Sequence, residues 1–321
     1  FTPQNNYDLA INSIGDVYFV FSDQRNFIDS DIYLQKYSGF SNSFSEPLLI
    51  VDNFFVDDNV KFIETTSDDG CLIAYDSGDF SGTRAYLQAL DSNGNILPAF
   101  SGGIRLSTNE SDQFIKGLLK TDSGYFILWK DQRSGSSDLY AQMVSFDGTI
   151  LGPQDGFAIT TAQNDQQDPT LTYNEVSNEI MVCWEDFRDG DDFDIYCVTV
   201  NEETLVVSDE IDLCTFSGNQ KSPNVHSTLD GSYLFAWEDS RGSVTSNIYF
   251  QQMQNGNFIY DVNGIVMCDA DFNQFNPQID LYDENSNKYM IYWDDLRSSG
   301  KEDLTNIYVQ SVTVDSNSVM L

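Results

Sequence analysis

The stretch "WEDFRDGDDFDIY", Trp184 to Tyr196, places four aspartates in the six positions Asp189 to Asp194, beside Arg188. Three readings compete: a calcium loop, a pair of catalytic carboxylates, or scaffold. A catalytic or metal centre needs one constellation, whereas scaffold recurs. The stretch recurs. Copies start at Phe21 ("FSDQRNFIDSDIYLQ"), Trp129 ("WKDQRSGSSDLYAQ"), Trp237 ("WEDSRGSVTSNIYFQ") and Trp293 ("WDDLRSSGKEDLTNIYVQ"), with a worn copy at Tyr75 ("YDSGDFSGTRAYLQ"). The leading aromatics Phe21, Tyr75, Trp129, Trp184, Trp237 and Trp293 are spaced by 54, 54, 55, 53 and 56 residues. The trailing tyrosines Tyr33, Tyr86, Tyr140, Tyr196, Tyr249 and Tyr308 keep step. Six copies at one period mark a repeat architecture.

Each repeat reads as four short strands. In the third, "FIKGLLK" precedes a turn at Asp122-Ser123-Gly124, and "YFILW" is a continuous apolar run bounded by turn residues. Such a run suits a strand buried on both faces. The Asp/Arg loop follows, then "LYAQMVSF", a turn at Asp147-Gly148 and a strand near "GFAITT". No stretch of useful length carries a helical apolar period. Six four-stranded antiparallel units of about 54 residues predict an all-β chain, a single six-bladed β-propeller over residues 1–321. The chain starts late in one unit and ends early in an outer strand, so the termini are expected to meet in one blade and close the ring. The abrupt start at Phe1-Thr2-Pro3, with no signal peptide in view, suggests a mature form or an excised piece.

The pattern W-x-D-x-R, a short loop, then D-I-Y-x-Q resembles a propeller repeat of secreted and surface proteins of bacteria and some archaea, and distantly the TolB-type propellers. That resemblance covers almost the whole chain and implies a secreted, scaffold-like module of a larger surface protein. Tyr75-Asp76-Ser77-Gly78-Asp79 departs from the pattern by losing both tryptophan and arginine.

Composition narrows the partners. The net charge of −36 argues against nucleic acid and anionic membrane surfaces. No run of 18 apolar residues occurs, so no transmembrane helix is expected. The 51 acidic residues divide into 39 Asp and 12 Glu, an excess that points to turns or hard-cation sites. Among the five cysteines there is no CxxC pair, which leaves zinc unsupported. If Trp184 opposes Tyr196, Cys183 opposes Cys197, and two buried free thiols are expected there.

The pairs Asp23/Arg25, Asp131/Arg133, Asp186/Arg188, Asp239/Arg241 and Asp295/Arg297 recur with a further Asp31, Asp138, Asp194, Asn247 or Asn306 before the "IY". An arginine fork can bridge two such groups across a hairpin mouth, so these residues are expected to staple the loop. Asp189, Asp191, Asp192 and Asp194 exceed what the staple needs. With Gly190 they offer oxygens for calcium, the candidate cofactor, without matching the EF-hand pattern.

The Asp/Arg loops share a face with connectors rich in Asn, Gln and Asp. Asn164, Gln166, Asn219 beside Gly218, and Asn273 supply amides there, and Phe54, Phe55, Phe272 and Phe275 supply rings. Such a face suits a glycan or protein partner at the cell surface. The sole histidine, His226, falls on an expected inner strand as a core or channel residue. No G-x-S-x-G elbow, phosphate loop or sialidase Asp-box occurs. The sequence therefore predicts a non-catalytic binding or assembly module of the cell surface. The alternative is a carboxylate- or calcium-dependent hydrolase of sugars or lactones at the channel mouth.

Overall fold

The computed structural model describes residues 4–25, 29–53, 56–242, 244–297, 305–315 and 318–320. They form two compact units, residues 1–161 and 162–321, each of three antiparallel sheets. In the first unit, the first sheet runs β1 (Gln4–Ile11), β2 (Val17–Asp23), β3 (Asp31–Ser38), with β4 (Ser43–Phe44) and β5 (Leu48–Val51) sharing the outer edge of β3. The second is β6 (Asp57–Thr65), β7 (Cys71–Asp79), β8 (Gly82–Leu90) and β9 (Ile104–Arg105). The third is β10 (Gln113–Lys120), β11 (Gly124–Asp131), β12 (Asp138–Ser145) and β13 (Phe157–Thr160).

The second unit repeats the plan. Its fourth sheet is β14 (Gln166–Asn174), β15 (Glu179–Asp186), β16 (Asp194–Asn201) and β17 (Ile211–Cys214). The fifth is β18 (Gln220–Ser227), β19 (Tyr233–Asp239) and β20 (Asn247–Gln254), with β21 (Asn257–Phe258) and β22 (Ile265–Cys268) both paired to β20. The sixth is β23 (Gln274–Asp283), β24 (Lys288–Asp295), β25 (Asn306–Asp315) and β26 (Ser318–Met320).

The expectation that the termini complete one sheet is corrected by this pairing. Among the described residues, β1 bonds β2 as the first strand of the first sheet, and β26 bonds β25 as the last of the sixth.

Two second strands, β7 and β19, carry apolar residues on both faces because each packs on two neighbouring sheets. On β7, Cys71, Ile73 and Tyr75 join Tyr18, Val20 and Ile32 of the first sheet. The alternate residues Leu72 and Ala74 join Ile115, Tyr125 and Trp129 of the third. β19 behaves alike in the second unit. Phe235 and Trp237 face Met181 and Cys183, while Leu234 and Ala236 face Tyr289 and Ile291. Side chains of a strand alternate between faces, so a sheet covered on both sides needs no polar alternation.

Each first strand carries a β-bulge near its start, and in β14, β18 and β23 a residue there turns to positive φ: Asp168 (42°), Ser222 (49°) and Asn276 (53°). The bulge frees a backbone N–H, and the preceding sheet supplies the acceptor. Glu185 Oε1 accepts from Ser222 N at 2.8 Å and Glu238 Oε1 from Asn276 N at 3.0 Å. In the first unit Ser22 Oγ accepts from Val60 N and Asp76 Oδ1 from Ile115 N, both at 2.9 Å. In these four repeats the residue after the leading aromatic, Ser22, Asp76, Glu185 or Glu238, is thus a joint to the next sheet. No described helix is long and apolar enough to cross a membrane.

Candidate functional site

Four hairpins carry one local design. The aspartates Asp131, Asp186, Asp239 and Asp295 are buried and accept from the indole Nε1 of Trp129, Trp184, Trp237 and Trp293 at 2.8–3.1 Å. They also accept the backbone N–H of Arg133, Arg188, Arg241 and Arg297 at 2.8–2.9 Å, closing the turn. The same arginines pair with them at 2.5–2.7 Å. Arg25 pairs with Asp23 at 2.7 Å in the first sheet. All five guanidinium carbons sit over the trailing tyrosines Tyr33, Tyr140, Tyr196, Tyr249 and Tyr308, 3.7–3.9 Å from the ring centres. Burial pushes the Asp131 carboxyl up, but its bonds to Arg133, Trp129 and Ser111 outweigh that and hold it below the usual range.

The expected bridge to a second aspartate is corrected. The fork of Arg188 takes Asp186 and then Glu210 (2.7 Å). Arg133 takes the carbonyl of Asp155, and Arg241 that of Asn263. Cross-strand pairing sets Asp31 opposite Asp23, Asp138 opposite Asp131, Asp194 opposite Asp186, Asn247 opposite Asp239 and Asn306 opposite Asp295. Burial raises the Asp138 carboxyl. Burial and then Asp192, Asp189 and Asp186 raise that of Asp194 to about 7.

The acidic loop Asp189–Asp194 spreads its carboxylates apart. Asp189 and Asp191 point to solvent, Asp192 accepts from Gly218 N at 2.6 Å, and Asp194 is buried at the start of β16. Among the described residues no group of three or more His, Cys, Asp and Glu is placed to hold an ion.

The two cysteines expected to be free thiols form a disulfide. The register sets Cys183 opposite Cys197 with 4.1 Å between Cα atoms. Cys71, Cys214 and Cys268 are free and buried. His226 packs its edge on Tyr289 and its Nδ1 lies 2.6 Å from the carbonyl of Ser227.

The amides of the expected ligand face serve the backbone instead. Asn164 Nδ2 donates to Arg188 O, Asn219 Oδ1 accepts from Phe193 N, and Asn273 Oδ1 accepts from Ser246 N. Each ties a connector to a hairpin mouth. Gln166 is buried and donates to the carbonyl of Gln163. Phe272 is half exposed and Phe275 partly buried on β23. Phe54 and Phe55 lie outside the described residues. Gln113, Gln166, Gln220 and Gln274 open their strands directly opposite the staple aspartates, and each donates to connector carbonyls. They stand 16, 18, 17 and 19 residues before Trp129, Trp184, Trp237 and Trp293, a spacing too irregular to read as part of the motif.

The second sheet alters this design at each of these positions. Asp58 stands where the others have glutamine, opposite Ser77 where they have aspartate. Tyr75 replaces tryptophan and stacks on Tyr86 (5.5 Å, 18°). Arg84 sits opposite Ser77, the place of Asp138 and Asp194. The result is a cleft of about 310 Å³ lined by Asn53, Ser77, Tyr75, Tyr86, Arg84, Arg105 and Glu110 among others.

Arg84 is buried. It donates to the carbonyls of Thr83, Ser81 and Glu110, and to Glu110 Oε2 at 3.0 Å. Arg105 donates to Asn109 O and to Glu110 Oε1 at 3.1 Å. The bonds from Arg84 and then Arg105 hold the Glu110 carboxyl below its ordinary range. Behind the cleft wall, Asn53 Nδ2 donates to both oxygens of Asp58 at 3.0–3.1 Å. Burial still raises Asp58 to about 6, against the Ser77 and Asn53 bonds. Asp31 also rises to about 6 through burial, then Asp52, Asp29 and Asp58.

No family model and no curated protein matches the chain. Solved structures do. An α-L-arabinanase of Penicillium chrysogenum, complexed with arabinobiose, aligns with a TM-score of 0.56 at 12% identity, over 97% of this chain and 93% of that one. A GH93 α-L-arabinofuranosidase of Fusarium graminearum with arabinobiose gives 0.51 at 12% identity over the same shares. A protein of unknown function from Dyadobacter fermentans gives 0.53 at 11%, over 98% and 95%. At such identities the likeness is one of fold. It nevertheless overturns the expectation of a non-catalytic binding module: two of these end-to-end matches are glycosidases, and the hydrolase alternative agrees with them better.

Proposed function

We propose that the six sheets are blades of one six-bladed β-propeller, and that it is a glycoside hydrolase taking an oligosaccharide at the cleft of the second sheet. The end-to-end likeness to an arabinanase and an arabinofuranosidase supports the fold. The cleft carries the function. Stacked tyrosines beside fixed polar groups suit a sugar ring, which presents apolar C–H faces and a rim of hydroxyls. Glycoside hydrolysis needs one protonated and one ionised carboxyl near the scissile bond. Burial raises both Asp31 and Asp58 to about 6, and Asp58 is among the carboxylates that push Asp31 up. Carboxyls that repel each other lose their protons in two steps, and between the steps the pair holds one acid and one base. Asn53 and Ser77, which line the cleft, are the residues bonded to Asp58.

The disulfide supports a location outside the reducing cytosol, in keeping with the secreted and surface repeats the motif resembles. The partner is then an extracellular glycan.

The test is reducing-end release from a panel of arabinan, galactan and pectin-type oligosaccharides. The wild-type chain should turn over a member of the panel with a pH optimum near 6. Asp58→Asn should lower the rate about 100-fold or more with an unchanged melting point. No release from any member would sink the hydrolase reading, and full activity in Asp58→Asn would remove the chemistry from this cleft.

A further inference from the structure

The two arginines of the cleft have a purpose that a neutral sugar does not explain. Lys and Arg number only 15 in the chain against 51 acids, yet Arg84 and Arg105 converge on a single carboxylate. The two do not stand alike. Arg84 is 8% exposed at its side chain, and the carbonyls of Ser81, Thr83 and Glu110 fix the plane of its guanidinium. Those carbonyls would hold the fork in place without any carboxylate. Asp112 Oδ1 lies 3.8 Å from Nη1, but it already accepts the backbone N–H of Thr83 at 2.7 Å. Arg105 is anchored by Asn109 O and is 30% exposed. The carboxylate they share is the least constrained member: the Glu110 side chain is 74% exposed. A buried, oriented guanidinium and a second one beside it thus meet a surface side chain that can swing away.

This arrangement differs from the staples. There the carboxylate is buried and fixed by an indole, and the arginine closes over it from outside. Here the arginine is buried and fixed, and the carboxylate comes from outside. Planar guanidinium forks recognise carboxylates through paired N–H donors. The stacked Tyr75 and Tyr86 flank the same cleft and offer a ring face beside that anchor.

Resting on the glycan reading above, we propose that the ligand of this cleft is an acidic oligosaccharide. The carboxylate of a uronic acid unit replaces that of Glu110 on Arg84 and Arg105, and Glu110 occupies the anion position until the ligand arrives. The net charge of −36 opposes an approaching anion at long range, but at physiological salt that repulsion is screened beyond about 8 Å, and inside the cleft the guanidiniums decide.

The experiment is a calorimetric titration of the full chain with trigalacturonate and, in parallel, with neutral galactotriose. The proteins compared are wild type, Glu110→Ala and Arg105→Gln. The wild type should bind the acidic trimer and prefer it to the neutral one. Glu110→Ala removes the competing carboxylate while its backbone carbonyl still holds Arg84, so acidic affinity should rise about tenfold and neutral affinity should not change. Arg105→Gln should lower acidic affinity about tenfold or more, and a melting curve like that of the wild type shows that the fold is kept. Equal binding of both trimers in all three proteins overturns the acidic preference and leaves the glycan cleft standing. Binding of neither trimer to wild type or Glu110→Ala overturns the acidic preference, while the hydrolysis panel separately decides the glycan reading.

Discussion

The fourth and second sheets are the same backbone put to opposite uses. Both pair their second and third strands without interruption, aromatic opposite tyrosine: Trp184 to Tyr196 in one, Tyr75 to Tyr86 in the other. In the fourth sheet the space above that pair is filled. Indole, Asp186 and Arg188 form one bonded column, and Arg188 lies 3.7 Å from the Tyr196 ring. In the second sheet the column is absent and a cleft stands there. The strand ladders do not depend on the column, so one repeat can give it up. An arginine from the opposite strand, Arg84, then turns the site from a closed joint into a polar recess.

Removing the column where it exists should have the largest effect. In Arg188→Ala the buried Asp186 keeps the indole and one N–H but loses its countercharge, and about 3–5 kcal/mol of stability should go with it. Arg25→Ala should cost about 1 kcal/mol or less, because the Arg25 side chain is 39% exposed. Denaturant titration of both variants checks this. Equal losses in the two would mean that burial does not set the strength of the staple.

Next comes the disulfide, again particular to the fourth sheet. It closes a loop of 14 residues, for which chain entropy predicts about 3 kcal/mol. Alkylating the denatured, unreduced chain should label the three free cysteines only, and Cys197→Ser should lower the denaturant midpoint. Five labelled cysteines would show that the bond does not form.

The smallest effect is that of pH. Asp31 and Asp58 near 6 and Asp194 near 7 lie above the value they have in an unfolded chain. Between about pH 4 and 7 the folded protein therefore binds more protons than the unfolded one, and stability falls as pH rises through that window. The melting temperature should be higher at pH 5 than at pH 8. Asp194→Asn should flatten the part nearest pH 7, and an unchanged slope in that variant would show that Asp194 is an ordinary acid.

The repeat was legible because tryptophan, aspartate, arginine and tyrosine stand at fixed spacing and meet in one column. Which acid the arginine takes was not legible: Asp186 lies two residues before Arg188, Asp194 stands directly across the hairpin from Asp186, and only the closed turn puts the first under the fork. The connector amides looked like ligand groups because sequence does not show a backbone N–H waiting for them, as Phe193 waits for Asn219. The opposition of Cys183 and Cys197 followed from register, but their bond did not. The cleft was hardest to see. The loss of tryptophan and arginine after Tyr75 reads as decay of a motif, and only cross-strand pairing shows that Asp58 and Arg84 stand at the positions of glutamine and aspartate in other sheets.

The bulged first strands make neighbouring repeats depend on each other. Ser222 and Asn276 donate to Glu185 and Glu238 of the sheet before. A repeat excised from its unit would strand a backbone donor at one side and a carboxylate at the other, each without its native partner. Three repeats in a unit should therefore melt together as a single block. Shortening a unit by one copy would leave a scar on the copies that remain, so the number of repeats in each unit is held by chemistry at its internal seams.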